Sequence, residues 1–277
     1  MTRGESKRRS KIRPKGPMSR RIKYFGKNIH RLGTVSSTQD VLKQLFLEGA
    51  PEGTIVVAQD QERGRGRREK PWHSLEGRGL WMSILLQPDG ILEQWTWTPL
   101  WAGLVVRQAI ADLLKSHSEA LAGRILLKWP NDVLLDERKL CGILAEQVQD
   151  QHGRSGVLLG IGVNLLQREE DFLPHLRPAV ISLLMASGEF FAPDAVLEKM
   201  ILGLEDFYPL LKPIAPEQIR RAFWSHAWGA GERLRIRVAG HQEEGIFSGL
   251  GPHGEICLQS SDGKISSFIN AEQIERT

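Results

Sequence analysis

A chain of 277 residues with 41% hydrophobic and 25% charged residues has the composition of a globular protein made of one large domain and one small one. Two cysteines, Cys141 and Cys257, argue against a disulfide framework; no apolar run approaches the ~20 residues of a membrane helix and no secretory signal is legible, so a cytoplasmic enzyme is expected. The net charge of +4 is uneven: residues 1–23 carry ten Lys/Arg against Glu5, a net of +9, which leaves residues 24–277 at −5.

The first segment, Met1 to Lys23, is poor in apolar residues and rich in Ser, Gly, Pro and basic residues, so it is expected to be a disordered tail. It either meets nucleic acid or an acidic partner, or is merely solvated. Ile22 to Val35 reads as a strand with a loop. Ser37, with Asp40 three residues on, has the form of a capping box. The helix it opens carries Val41, Leu42, Leu45 and Phe46 at helical spacing and stops at Gly49. The hydroxyls of Ser37 and Thr38 either cap this helix or face a ligand at its N-terminus, where N–H donors are spare. Thr54 to Ala58 reads as a buried strand. It leads into Gln61-Glu62-Arg63-Gly64-Arg65-Gly66-Arg67-Arg68. Glycine allows close backbone approach, and arginine presents a planar fork to phosphate or carboxylate. The loop is thus suited to holding an anion; a solvated loop and a grip on nucleic acid are its other readings. Trp72 follows, either stacking on a purine or packing. Leu80 to Leu86 reads as a strand and Thr98 to Ser116 as a helix.

Between Arg124 and Val148 the pattern is strand, turn, strand, tight turn, strand, with turns at Pro130-Asn131-Asp132 and Asp136-Glu137-Arg138. Strict alternation puts Lys139, Cys141 and Ile143 on one face of the last strand and Leu140, Gly142 and Leu144 on the other. Lys139 at the head of a buried strand calls for an anionic ligand, unless it stands in water. In the strand Val157 to Leu165, Gly160 and Gly162 share a face and leave room against the sheet, or mark a bend. Asn164 both donates and accepts, as a purine edge requires. Helices are expected at Pro193–Leu211 and Pro216–Trp228. Short strands at Arg233–Val238, Gly245–Leu250, Glu255–Gln259 and Lys264–Ile269 suggest a small antiparallel barrel or sandwich. There is no phosphate-loop or dinucleotide fingerprint, no metal-ligand spacing among the eight histidines and no nucleophile elbow, so covalent catalysis by Ser or Cys is not indicated.

Four stretches in order resemble the bacterial biotin protein ligases: Ser37-Thr38-Gln39; Gln61 with Gly64-Arg65-Gly66-Arg67; Lys128-Trp129-Pro130-Asn131-Asp132 followed by Lys139-Leu140-Cys141-Gly142-Ile143-Leu144; and Gly160-Ile161-Gly162-Val163-Asn164. Gln39 stands where asparagine is common, Glu62 and Arg63 replace small or polar residues, and the DNA-binding domain of repressor-type members has no counterpart in the short polar tail. The resemblance implies an α/β fold, with a mixed-sheet catalytic domain of the biotin/lipoate ligase type over residues 24–229, a small C-terminal β-barrel domain over 230–277 and the tail at 1–23. It implies two steps: biotin and ATP form biotinyl-5′-AMP, and a lysine of a biotin carboxyl carrier protein of acetyl-CoA carboxylase then takes the biotin. Biotin would be held by Ser37, Thr38, Gln39, Gln61, Arg65, Gly66, Arg67, Lys139 and Gly142. ATP would be held by Arg65, Arg68, Trp72, Asn131 and Asn164. Lys139, Arg67 and Asp132 would be catalytic, with Asp132 touching Mg2+ or orienting the incoming amine. A homodimer is left open; membrane and DNA binding are not expected. A lipoate ligase is the nearest rival reading.

Overall fold

The computed structural model describes residues 23–87, 95–115, 117–212 and 215–277. The expectation for the tail, and the end of the expected helix at Ser116, lie outside them, apart from Lys23. Seven strands form one mixed sheet in the order β1-β2-β3-β7-β6-β5-β4. They are β1 (Ile29–Val35), β2 (Ile55–Gln61), β3 (Gly79–Leu86), β4 (Ile125–Lys128), β5 (Asp132–Leu135), β6 (Arg138–Gln149) and β7 (Ser155–Asn164). Only β1 and β2 run parallel; the other neighbours are antiparallel. The interior strand β3 is buried along its whole length, which is why Leu80 to Leu86 reads as an unbroken apolar run.

One face of the sheet is covered by α2 (Trp97–Lys115) and α5 (Pro193–Phe207), the other by α1 (Thr38–Leu47). Gly203 lets α5 approach α2 closely: a Cβ there would lie 3.2 Å from Val105 Cγ1. The start of the described chain is pinned to α5, because the backbone N–H groups of Lys23, Tyr24 and Phe25 all donate to Glu205 Oε1. Among the described residues no helix is long and apolar enough to cross a membrane.

Short helices α3 (Glu119–Ala122) and α4 (Leu183–Ser187) were not expected; each has too few residues to show helical spacing. The helix expected at Pro193–Leu211 ends at Phe207 and continues as a 3-10 turn. The helix α6 (Pro216–Trp224) stops four residues short of the expected Trp228. Residues 226–228 instead pair with the edge strand β4: Leu127 N–H donates to His226 O and Trp228 N–H to Leu127 O. An open sheet edge won over a fourth helical turn.

The C-terminal region is a five-stranded antiparallel sheet, β11-β10-β9-β8-β12. Its strands are β8 (Arg233–Val238), β9 (His241–Leu250), β10 (Ile256–Gln259), β11 (Ile265–Phe268) and β12 (Gln273–Arg276). Four were expected. The fifth, β12, buries only Ile274, so alternation gives no signal there. This sheet is tied to the first by Trp129 Nε1, which donates to Gly254 O at 2.8 Å. Arg276 reinforces the tie through Glu137 and by lying over the Trp228 ring.

The far end of α1 is clasped by Arg154, the last residue before β7. Its guanidinium donates to Phe46 O and Ala50 O and lies 4.2 Å over the Phe46 ring. A cation at the C-terminal carbonyls satisfies orphan acceptors and opposes the helix dipole. We expect Arg154→Ala to lower stability by about 1–2 kcal/mol through these carbonyl bonds. A urea midpoint shift with unchanged slope would register it; an unshifted midpoint would show the clasp to be idle.

Candidate active site

The site begins where α1 meets β2. Ser37 is the N-cap of α1, its Oγ accepting from Gln39 N–H. The expected reciprocal half of a capping box is absent: Asp40 does not return to Ser37, and its carboxylate meets Arg65 and Ser36 instead. Thr38 presents its N–H and hydroxyl to Gln61 Oε1, at 2.9 and 3.1 Å, with Thr38 Oγ 2.8 Å from Ser83 Oγ. The helix start is thereby locked to the end of β2 and the middle of β3, and its polar atoms converge on one spot.

Lys139 arrives by a departure from strand alternation. Val133 lies opposite Cys141 and Leu134 opposite Lys139, so Leu140 is an extra residue in β6, a bulge. The expected grouping of Lys139 with Cys141 and Ile143 is corrected. Lys139 shares the face of Gly142, while Leu140, Cys141 and Ile143 join the apolar core. The extra residue turns the lysine out of the core, where a lone ammonium would be costly. Its Nζ lies 2.7 Å from Asp132 Oδ1, an ion pair without the approach angle of a directed hydrogen bond. Its carbonyl accepts from Ile181 N–H and from Asn164 Nδ2. Cys141 is fully buried, and desolvation pushes its thiol well above the ordinary range, so it is packing rather than a nucleophile.

Gly142 and Gly162 are cross-strand partners on this face. The Trp72 indole lies over both: a Cβ at Gly162 would come within 2.7 Å of the ring, and one at Gly142 likewise. Gly160, next along, makes room for Gln39 Oε1. The room expected against the sheet is therefore real, and Trp72 and Gln39 lie in it. Trp72 also meets Trp81 edge to face.

The arginine loop closes on itself. Trp72 N–H donates to Gly64 O, Gly66 N–H donates to Lys70 O, and Arg65 bridges Pro71. Gly64 is required by close approach, since a Cβ would lie 2.7 Å from Trp72 O. At the tip, Arg68 and Glu69 adopt left-handed backbone. Three arginines turn back onto the protein. Arg65 pairs with Asp40 and Arg68 with Glu272. Arg67 donates to Asn131 Oδ1 and Asn270 Oδ1, and burial followed by the neighbouring Arg68 charge lowers its pKa. A loop so engaged is poorly disposed to grip nucleic acid.

These groups line one cavity of about 560 Å3, within the usual range for a small-molecule site. Every residue expected to bind or catalyse lines it: Ser37, Thr38, Gln39, Gln61, Arg65, Gly66, Arg67, Arg68, Trp72, Asn131, Asp132, Lys139, Gly142 and Asn164. Four of them have committed amides: Gln39 donates to Glu146, Gln61 accepts from Thr38, and two asparagines hold backbone. Asn164 donates to Ile181 O and accepts from Gln167, and Asn131 donates to Ile143 O. Each thus fixes backbone beside Lys139 or Arg67, and a purine edge at Asn164 would have to displace one of those partners. Residues that the sequence did not point to complete the wall. Phe172, Leu176 and Val180 come from the segment after β7, and Ala271 to Glu275 from the C-terminal sheet. Lys128, quoted only as part of a motif, also lines it. It lies 4.4 Å over the Trp228 ring, and burial lowers its pKa.

Residues 32–164 match the model of the Biotin/lipoate A/B protein ligase family. The bifunctional ligase/repressor BirA of Bacillus spizizenii is 34% identical over 244 residues, covering 88% of this chain and 73% of the relative. The chain belongs to the biotin protein ligase family. The biotin--[acetyl-CoA-carboxylase] ligase of Mycobacterium tuberculosis is 30% identical, covering 81% of this chain and 80% of its own. Among solved structures, the biotin protein ligase from Aquifex aeolicus in complex with biotin and ATP superposes with a TM-score of 0.77 at 28% identity. It covers 91% of this chain and 100% of that one. The mixed seven-stranded sheet with a separate antiparallel sheet is thus the fold of biotin protein ligases, and this member is a biotin-ligating enzyme.

Proposed function

We propose that this enzyme activates biotin as biotinyl-5′-AMP and transfers it to a lysine of a biotin carboxyl carrier protein of acetyl-CoA carboxylase. The observation that carries the reading is that Lys139, turned onto the open sheet face by the bulge, and the half-buried Arg67 line the same cavity. Biotin carboxylate attacks the α-phosphorus of ATP and pyrophosphate leaves. Charge builds on the phosphoryl oxygens, and two cations held on the cavity wall oppose it. Thr38, Gln61 and Ser37 offer directed bonds for the uncharged ureido ring, each a net ~0.5–1.5 kcal/mol. Phe172, Leu176 and Val180 supply an apolar wall suited to adenine. The carrier lysine then attacks the carbonyl carbon of the mixed anhydride, and AMP leaves.

Mg2+ would accompany the nucleotide and offset charge on its phosphates. Among the described residues no group of three or more His, Cys, Asp or Glu could hold a metal. Asp132 would be the residue to touch such an ion, with phosphate and water oxygens supplying the rest of its shell. Residues 24–229 would form the domain that carries the chemistry, and residues 230–277 the one that closes a side of the cleft. The arginine loop would keep water from the acyl adenylate.

We expect isotope exchange between pyrophosphate and ATP to depend on biotin and not on lipoate, and a carrier domain to gain the mass of one biotin on its lysine. Exchange driven by lipoate instead would replace this reading with the rival one.

A further inference from the structure

Arg65 was expected on the ligand, yet its guanidinium faces two carboxylates. Its Nη2 lies 2.7 Å from Asp40 Oδ1 and 3.8 Å from Glu146 Oε2. Glu146 Oε2 also accepts from Gln39 Nε2 at 2.6 Å. Three distant parts of the chain meet here: the first turn of α1, the stem of the arginine loop and the middle of β6. Asp40 is not needed for capping, which Ser37 Oγ performs alone. The loop is fastened separately at its tip, where Arg68 pairs with Glu272 of the C-terminal region.

We propose that Arg65, Asp40 and Glu146 form a latch that fastens the 64–72 loop over the cavity, so that Arg65 governs loop closure and Asp40 and Glu146 are positioning residues. The inference rests on the adenylate-forming function proposed above. All three side chains are between 29% and 40% exposed. Pairs this exposed contribute little to global stability. A latch is different in kind. A loop that opens and closes exchanges between two states, and a pair made only in the closed one changes their ratio directly. The upper end of what such pairs are worth corresponds to about a fivefold change in that ratio.

The test uses the full-length chain. In Asp40→Asn without any ligand, the amides of Gly66 and Trp72 should exchange hydrogen about fivefold faster, the α1 amides being unchanged. With biotin and MgATP but no carrier, biotin-dependent pyrophosphate exchange should stay within about twofold, while AMP released by loss of the adenylate rises about fivefold. In the adenylate leak alone, Arg65→Ala should do at least as much as Asp40→Asn, Asp40→Asn should add nothing to Arg65→Ala, and the swap Asp40→Arg with Arg65→Asp should restore the low leak. A collapse of exchange in Arg65→Ala with Asp40→Asn silent would place Arg65 on the phosphate and overturn the latch. So would additive effects, or a swap without rescue. Absence of biotin-dependent exchange in the unaltered chain would strike the proposed function. The ligand-free amide exchange judges the latch by itself.

Discussion

Lys139→Met will slow biotin-dependent pyrophosphate–ATP exchange by about 100–1000-fold, the usual effect of deleting one preorganised electrostatic group at a developing oxyanion. Methionine keeps much of the side chain's length and apolar contact, so the change isolates the ammonium. The effect should fall mainly on kcat, because charge on the α-phosphoryl oxygens grows between ground and transition states. Biotin and ATP should still bind, since Thr38, Gln61 and the loop remain. The fold should survive, because Lys139 sits beside open cavity and its ion pair with Asp132 is partly exposed. Exchange measured at saturating biotin, with a melting curve as control, checks this. Near-normal exchange in a folded Lys139→Met protein would remove Lys139 from the chemistry.

Gly162→Ala should raise the KM for biotin by about tenfold or more. A Cβ at this position would meet Trp72 Cε2, Nε1 and Cζ2 at 2.7, 2.8 and 2.9 Å. These atoms belong to a rigid ring, so the clash is relieved only by moving the whole indole. Overpacking of this kind typically costs about 1–3 kcal/mol. The strain would not stay local, because the Trp72 backbone N–H closes the stem of the arginine loop on Gly64 O. The effect should vanish in a Trp72→Ala background, where the methyl has space. An unaltered KM in Gly162→Ala, or an equal loss with and without the indole, would show that Trp72 does not rest on this glycine in solution.

Much of the site was readable because its chemistry is local in sequence. The helix start at Ser37-Thr38, the arginine-glycine loop, the Lys128 to Leu144 stretch and the glycine-punctuated strand each declare their residue types over a few positions. All of them line one cavity. Other features depend on who the neighbour is. Asp40 looks like half of a capping box from its spacing, but Arg65, 25 positions later, is a stronger partner for a carboxylate than a backbone N–H. The segment 226–228 has helical composition, yet the free edge of β4 takes its hydrogen bonds. Gln39 and Asn164 carry suitable groups for a ligand, and the fold uses their amides internally.

The residue types alone determined the α/β class, the separate C-terminal strands and the set of candidate side chains, because apolar periodicity, turn chemistry and charge are properties of short windows. Only the tertiary structure decided which way those side chains point. A single extra residue at Leu140 reverses the facing of Lys139, since side chains alternate with a period of two and a bulge shifts that count by one. It also decided that residues 271–275, remote in sequence and nearly featureless in composition, form part of the cleft wall. Contacts between distant segments are set by packing, which no local window records.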